Sequence, residues 1–489
     1  MNRSFLRVLA VPALALVALA PSAKAQTITL KTVPIPTGEQ FRLFPSHTLG
    51  MGSVVVAQDD KLAAPFSNPA RRLEGEHRIR LFATPTFYGE ANQWVGGRSF
   101  PLAALFSGTR LHGGFGLAVQ QLQDRWVSRG RPGSSGRVIR EDPTNGYVFG
   151  TIGSRITDNL SLGFSVFHAS LSTVDGVNML YWRAHTIEQD GTLTELRLGA
   201  AGELGDGRTL EGTLTRTSVD MTHDVLYGDW VWPVAPWLGS PQLVEWEERN
   251  EDRTITWGTR LRYSQPLDDK SRLGIIVAGS TKDHPKIPNY NVVNIPRDPG
   301  NSAVFNFGVG VSGTEEGATV SMEVILEPGR SHTWARADTV TPLPSGARLE
   351  AGDKTVDNQF RFMNWNLGLG FEQEWRRVGY QLGLRARRIS YSLDQHNFLA
   401  ESQRKTRESW MEWTPTWGVA VRAGSLDLRY AGQFTAKGWA SLRVGGGFGL
   451  QMAAPDAGVD FVVGPTGEVN IPAYRVTLHR FMVSVPFGP

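Results

Sequence analysis

The chain has 489 residues, with 50 basic against 47 acidic side chains and a formal net charge of +3, too small to argue for a nucleic-acid partner. The absence of cysteine excludes disulfides and thiolate metal sites. Glycine and tryptophan are abundant and the mean hydropathy is slightly negative. A hydropathy scan reads that as soluble, yet a barrel whose strands alternate lipid-facing and lumen-facing residues averages out the same way.

The first residues, Met1-Asn2-Arg3-Ser4-Phe5-Leu6-Arg7, are followed by an apolar run to about Ala20 and by Ala23-Lys24-Ala25. A basic start, a short apolar core and a small-x-small site predict a signal peptide over residues 1–25, cleaved after Ala25. No later run offers 18 or more apolar residues, so no transmembrane helix is expected. An exported chain without cysteine suits the bacterial envelope.

Residues 50–70 follow, GMGSVVVAQDDKLAAPFSNPA. They hold Gly50 and Gly52, the acidic pair Asp59 and Asp60, and then Asn68, Pro69 and Ala70. The proline ring excludes the helical region from Asn68, and the Asn amide can close a turn on nearby backbone. The order of small-residue run, Asp-Asp, Asn-Pro-Ala and first strand resembles the N-terminal plug of the FadL family. Those proteins are outer-membrane transporters of long-chain fatty acids and other apolar molecules. PorV-type outer-membrane barrels of a bacterial secretion system share much of the signature. The resemblance implies a 14-stranded barrel, and two neighbouring long loops that form an apolar groove for ligand capture.

Strand one is expected over 77–88, and a further strand over 113–122. From residue 160 the period of two is plain. Leu160, Leu162, Phe164 and Val166 alternate with small or polar residues, as do Ile255, Trp257, Leu261 and Tyr263. The same holds for Phe305 to Val311, Met363 to Phe371, Tyr380 to Ala386 and Leu426 to Tyr430. Short turns near 109–113, 157–159, 205–207, 267–270, 313–317, 375–377 and 423–425 separate pairs of strands joined by longer loops. That spacing gives about 16 strands. The last runs from Arg480 to the aromatic Phe487.

The fold class is therefore all-β: an antiparallel transmembrane β-barrel of about 14–16 strands with a small N-terminal plug. The expected domains are residues 1–25, signal peptide; 26–75, plug and lead-in; and 76–487, barrel. Arg260, Arg262, Arg385, Arg387 and Arg429 are expected to face the lumen with Glu323, Glu372 and Asp427, as a polar network around the plug or as a seat for a carboxylate head group.

Two stretches are read as extracellular loops with unusual apolar content. Residues 172–190 carry Met179, Leu180, Tyr181 and Trp182, and residues 223–252 carry Trp230, Trp232 and Trp237. So many apolar side chains in exposed loops need a partner. They match the two capture loops that the resemblance implies, with a structural cap as the plain alternative. The acidic run Glu245, Glu247, Glu248, Glu251 and Asp252 reads as solvated loop.

Gly308-x-Gly310-x-x-Gly313 matches a dinucleotide pattern, but no helix follows it. No His-Glu-x-x-His or Gly-x-Ser-x-Gly motif is present. No catalysis, cofactor or metal is implied. The expected activity is passive uptake of hydrophobic small molecules such as long-chain fatty acids across the bacterial outer membrane. The expected partners are outer-membrane lipid, a hydrophobic small-molecule ligand and the barrel-assembly machinery during insertion, with no nucleic acid. The alternative is a PorV-like scaffold or secretion accessory without small-molecule transport.

Overall fold

The computed structural model describes residues 43–73, 79–90, 95–128, 137–141, 143–174, 184–231, 241–284, 300–337, 339–437 and 475–487. The signal peptide region and residues 26–42 lie outside them. Sixteen strands form one closed antiparallel sheet among the described residues. In chain order they are β1 (Ile79–Ala83 and Thr86–Glu90, broken at Thr84-Pro85), β2 (Val95–Ser107), β3 (Leu111–Ser128) and β4 (Arg137–Glu141 and Thr144–Thr157). Then come β5 (Leu160–Leu171), β6 (Ala184–Gly205), β7 (Arg208–Val231), β8 (Gln242–Pro266), β9 (Ser271–His284) and β10 (Gly300–Glu315). The set ends with β11 (Ala318–Arg336), β12 (Lys354–Glu374), β13 (Val378–Asn397), β14 (Ser402–Ala423), β15 (Leu426–Lys437) and β16 (Arg475–Phe487). β16 pairs back onto β1, Phe487 opposite Ile79 and Arg480 opposite Thr86, so no edge is left open. The turn spacing gives this strand number; the resemblance implies two fewer.

The seven short turns lie at one end of the barrel. Asp206-Gly207 and Glu316-Gly317 both have two consecutive positive φ angles, the two-residue turn that matches strand twist. The chain enters and leaves the sheet at that same end. By the usual layout of such barrels it is the periplasmic one.

The outward face carries the membrane. On β12 the outward positions Met363, Trp365, Leu367, Leu369 and Phe371 are all apolar, while a Cβ on the intervening Gly368 would meet Val54 and Glu323 inside the barrel. That band covers nine residues of strand. Tilted by about 40°, it stands roughly 20 Å tall, close to an outer-membrane hydrocarbon layer. Exposed Leu210, Leu214, Trp257, Leu261, Phe305 and Phe307 continue it around the wall.

Above the band the pattern inverts. On β7 the outward residues change from Leu210 and Leu214 to Asp220, Thr222 and Asp224, while the inward ones change from Glu211, Thr213 and Thr215 to Val219, Met221, Val225 and Tyr227. On β13 the inward face changes from Gln381, Arg385 and Arg387 to Ile389, Tyr391 and Leu393. One sheet thus serves two solvents. In lipid it is apolar outside and polar within; above the lipid it is a water-soluble barrel with an apolar interior.

This corrects the loop reading for residues 184–190, 223–231 and 242–252, while residues 175–183 and 232–240 lie outside the described residues. Ala184 onward belongs to β6, and residues 223–231 and 242–252 are paired strands of β7 and β8 that raise the wall beyond the bilayer. The alternation persists there, but with its phase reversed, so a search for apolar-outward strands passes over it.

Candidate functional site

Residues 43–73 fill the lower lumen. Their regular structure is a short 3-10 turn at Leu49–Met51 and a single helical turn at Ala64–Ser67. The rest of the segment is shaped by side chains. Asp60 is buried, and its carboxylate accepts from Ser46 Oγ (2.6 Å), His47 N (2.9 Å), Ala63 N (3.0 Å), Thr48 Oγ1 (3.2 Å) and Leu62 N (3.2 Å). It thereby fixes the residues that lead into the helical turn and ties them to the preceding chain.

The barrel wall supplies the remaining bonds. Glu323 Oε2 accepts from Val55 N (2.7 Å) and Val56 N (2.8 Å). Thr416 Oγ1 accepts from Gly52 N (2.7 Å) and donates to Gly50 O (2.9 Å). Arg197 Nη1 donates to Phe66 O (2.9 Å) and Ser67 O (2.6 Å). Inward-facing polar residues, useless to the sheet itself, satisfy a segment that could not satisfy itself.

Asn68-Pro69-Ala70 sits flush on β4–β6. Asn68 is extended, as its proline neighbour requires, and its Oδ1 accepts from Ala70 N (3.1 Å) to close the turn. Its Nδ2 donates to Ala200 O (3.1 Å), and His112 Nε2 lies 3.2 Å from Pro69 O. Nothing larger than hydrogen fits on the wall there. A Cβ on Gly153 or Gly163 would collide with Pro69 O, and one on Gly199 with Asn68 Oδ1.

Beside this turn is an ion cluster. Arg71 pairs with Asp59 and with Glu211 (2.7 Å), and Arg262 Nη1 reaches Glu211 (3.0 Å) and Asp59 (3.3 Å). Two acids and two guanidiniums, half from the plug and half from β7 and β8, bridge the interface. Burial raises the Asp59 pKa, but Arg71 and Arg262 outweigh it and hold the carboxyl below its ordinary value.

A second clamp involves His47, Glu372 and Glu374, whose ligand atoms lie within 4.8 Å of one another. Arg429 Nη1 donates to His47 Nδ1 at 2.5 Å, leaving Nε2 to donate to Glu372 at 2.9 Å. Gln381 Nε2 donates to the other Glu372 oxygen at 2.7 Å. With both ring nitrogens engaged inside the protein, His47 ties the plug to the wall through Glu372 and Arg429.

Above the plug the lumen has two kinds of lining. An apolar seam climbs β3–β7 from Leu43 of the plug through Ala118, Tyr147, Ala169, Leu193, Val219 and Met221 to Val225 and Tyr227. Tyr227 stacks on Trp246 at 5.4 Å. Asn145 bends the chain after β5 into the seam, accepting from Ser172 N and Thr173 N and donating to Thr173 O (2.9 Å), so that Val174 is buried there. A separate patch of Phe360, Phe362, Ile389, Tyr391 and Leu393 lines β12–β13.

At its foot the seam meets Phe44, Phe66, Phe82, Phe149 and Phe167, with Phe44 stacked on Phe66 at 4.6 Å. The cavity lined by Phe44, Phe82, Phe149 and Phe167 is about 20 Å3, room for little more than a water. Beside it, on β6–β10, lies a polar cavity of about 350 Å3 lined by Arg197, Thr213, Thr215, Arg260, Ser280 and Asn306. Asn306 Oδ1 is buried there without a partner among the described residues.

Of the sequence-predicted residues, Asp59, Asp60, Asn68, Pro69 and Ala70 are brought together in the plug. Trp230 lies in β7, opposite Leu243 of β8. Met179, Leu180, Tyr181, Trp182, Trp232 and Trp237 lie outside the described residues. The seam itself went unseen in the sequence, including Trp246, although its even spacing from Arg260 and Arg262 places it on the same inward face.

No protein-family profile and no curated protein sequence matches the chain. Solved structures similar to it include a bacterial polysaccharide outer-membrane secretin (7% identity, 85% of this chain and 100% of that chain, TM-score 0.41). The toluene transporter TbuX of Ralstonia pickettii is another (12% identity, 92% and 100%, TM-score 0.39). The toluene transporter TodX of P. putida is a third (11% identity, 91% and 99%, TM-score 0.38). Likenesses this distant do not assign a function.

Proposed function

We propose that the protein is an outer-membrane channel for passive uptake of hydrophobic small molecules, gated by residues 43–73. The observation that carries this is the apolar seam from Tyr227, above the membrane, down to Leu43 of the plug. A water-filled porin needs a polar lumen. The seam's members are packed on one another at 0–6% exposure, so a ligand must part them before it gains about 0.8 kcal/mol per buried methylene. The aromatic cavity at its foot is only about 20 Å3 and is lined in part by Leu43, Phe44 and Pro45, so passage beneath the seam requires these plug residues to shift. A ligand drives that shift only by favouring one plug conformation over another.

Long-chain fatty acids are the ligands this reading assigns to the lumen once the seam opens. Leu193 shares the inward face of β6 with Arg197, whose guanidinium is engaged by Glu195, Phe66 O and Ser67 O, so the guanidinium offered to an acyl carboxylate in the polar cavity is that of Arg260. Trp230 at the top of β7, with Trp232 and Trp237 in the connection to β8 and residues 179–182 before β6, would capture ligand at the mouth.

Quenching of tryptophan fluorescence by a brominated fatty acid tests this on the purified barrel. We expect Tyr227→Ser with Trp246→Ser to weaken binding about tenfold, a loss of roughly 1.4 kcal/mol. Equal affinity in wild type and variant, with full barrel assembly, overturns the transport reading and favours a PorV-like accessory whose upper wall binds a protein.

A further inference from the structure

We propose that the outward face of β11–β14 is a binding site for the phosphate groups of outer-leaflet lipid. Strand register places Arg330 directly opposite Arg361, Arg361 opposite Ser392, and Ser392 opposite Arg407. Three arginines therefore stand in one row across four neighbouring strands, on the face away from the lumen. Arg388 is two rows nearer the membrane, between Trp365 and Met411. All four are exposed, and none forms an ion pair with a described residue.

Like charges directly opposite in an antiparallel pair repel. The Arg330–Arg361 pair is thus unfavourable until an anion lies over it, and Arg407 adds a third charge beyond Ser392. The carboxylates nearest on this face are already engaged. Asp394 is held by Lys405 (3.3 Å) and Gln403 (3.1 Å), and Asp357 by His332 (2.7 Å) and Lys354 (2.6 Å). On β7 and β8 the arginines at similar height are matched instead: Arg249 lies 3.5 Å from Asp224, and Arg253 lies 3.7 Å from Asp220 and 3.3 Å from Glu251.

Height selects the anion. Met363 on β12, 57% exposed, and Leu326 (48%) followed by Pro328 on β11 are the last apolar outward residues beneath the row. The guanidiniums therefore stand at the upper edge of the hydrocarbon band, at head-group level. Arg388 is placed for its stem to lie on apolar surface while its charge rises toward the same level. A guanidinium grips phosphate with two parallel hydrogen bonds, and adjacent forks suit a lipid that bears more than one phosphate.

The test uses the full-length barrel, native mass spectrometry and bis-phosphorylated lipid A as probe. The wild type should retain lipid A. The Arg330→Gln, Arg361→Gln, Arg407→Gln triple variant should bind it about a hundredfold more weakly, at roughly one lipid-surface charge contact per arginine. Arg249→Gln with Arg253→Gln should bind as wild type, and dephosphorylated lipid A should not be retained. All replaced side chains point away from the plug, so heat-modifiable migration should stay normal in every variant. Equal retention by the triple variant, or equal retention of dephosphorylated lipid, overturns the proposal. Displacement of lipid A by inorganic phosphate at matched concentration also overturns it, by marking a free-anion site. Uptake is not the readout, so failure of the channel reading leaves this result unaffected.

Discussion

Asn68 Oδ1 occupies the space where a side chain on residue 199 would begin: a Cβ on Gly199 collides with it and lies 2.8 Å from Pro69 Cδ. The wall is shaped to the plug at that point. Gly199→Ala must push Asn68 and Pro69 off the wall and break the Ala200 bond. We expect raised leakage of small polar solutes into cells, with normal amounts of heat-modifiable barrel. Unchanged permeability would show that this turn does not seal the lumen.

Glu211→Gln leaves Arg71 and Arg262 sharing Asp59 alone. Losing one charge from a half-hidden cluster should cost plug docking roughly 1–3 kcal/mol. Faster hydrogen exchange over residues 43–73, with β7 and β8 unaltered, is the expected signature. Uniform exchange changes across the barrel would mean instead that the cluster supports the sheet.

The depressed pKa of Asp59 sets a pH window. A carboxyl whose folded pKa is lowered contributes stability that is present above its unfolded value and is lost as pH falls through the folded one. Between pH 5 and 8 its contribution to plug docking should be flat, weakening only below about pH 4. Asp59→Asn should abolish that acid-side change in solute leakage through liposome-reconstituted barrels. A variant with the same acid profile as wild type would assign the change to another group.

Leu367 and Gly368 are chain neighbours on opposite faces. Leu367→Arg puts a charge on the lipid side and should cost roughly 2–4 kcal/mol near the midplane, reducing assembled barrel. Gly368→Arg meets Glu323 Cγ at 2.9 Å and Val54 at 3.0 Å from its Cβ onward, so it should assemble and disturb the plug. The reverse pattern in heat-modifiability gels would invert the face assignment.

Much of the barrel was legible because lipid and lumen impose a strict period of two on strands such as Met363 to Phe371. The tall walls were not, because above the lipid the same period reverses phase. Val225 and Tyr227 then look like apolar residues stranded among charges. The plug motif was legible as a turn, since Asn-Pro dictates one locally. Its seat was not: Gly153, Gly163 and Gly199 lie on three strands, and only the folded sheet gathers them. The apolar seam was hidden for the same reason, being assembled from one or two residues on each of β3–β6 and four on β7.

Outside its two brief turns and the bonds gathered by Asp60, the segment from Leu43 to Leu73 borrows its form from Glu323, Thr416, Arg197 and the other wall groups that hold its backbone. Detached, it would have little to keep it in shape. Opening such a gate is closer to melting than to swinging a door, with each freed residue regaining about 1–2 kcal/mol of conformational entropy at ambient temperature. Warmth then favours the open state and cold the shut one. Conductance through this protein should climb with temperature more steeply than the viscosity of water alone would allow.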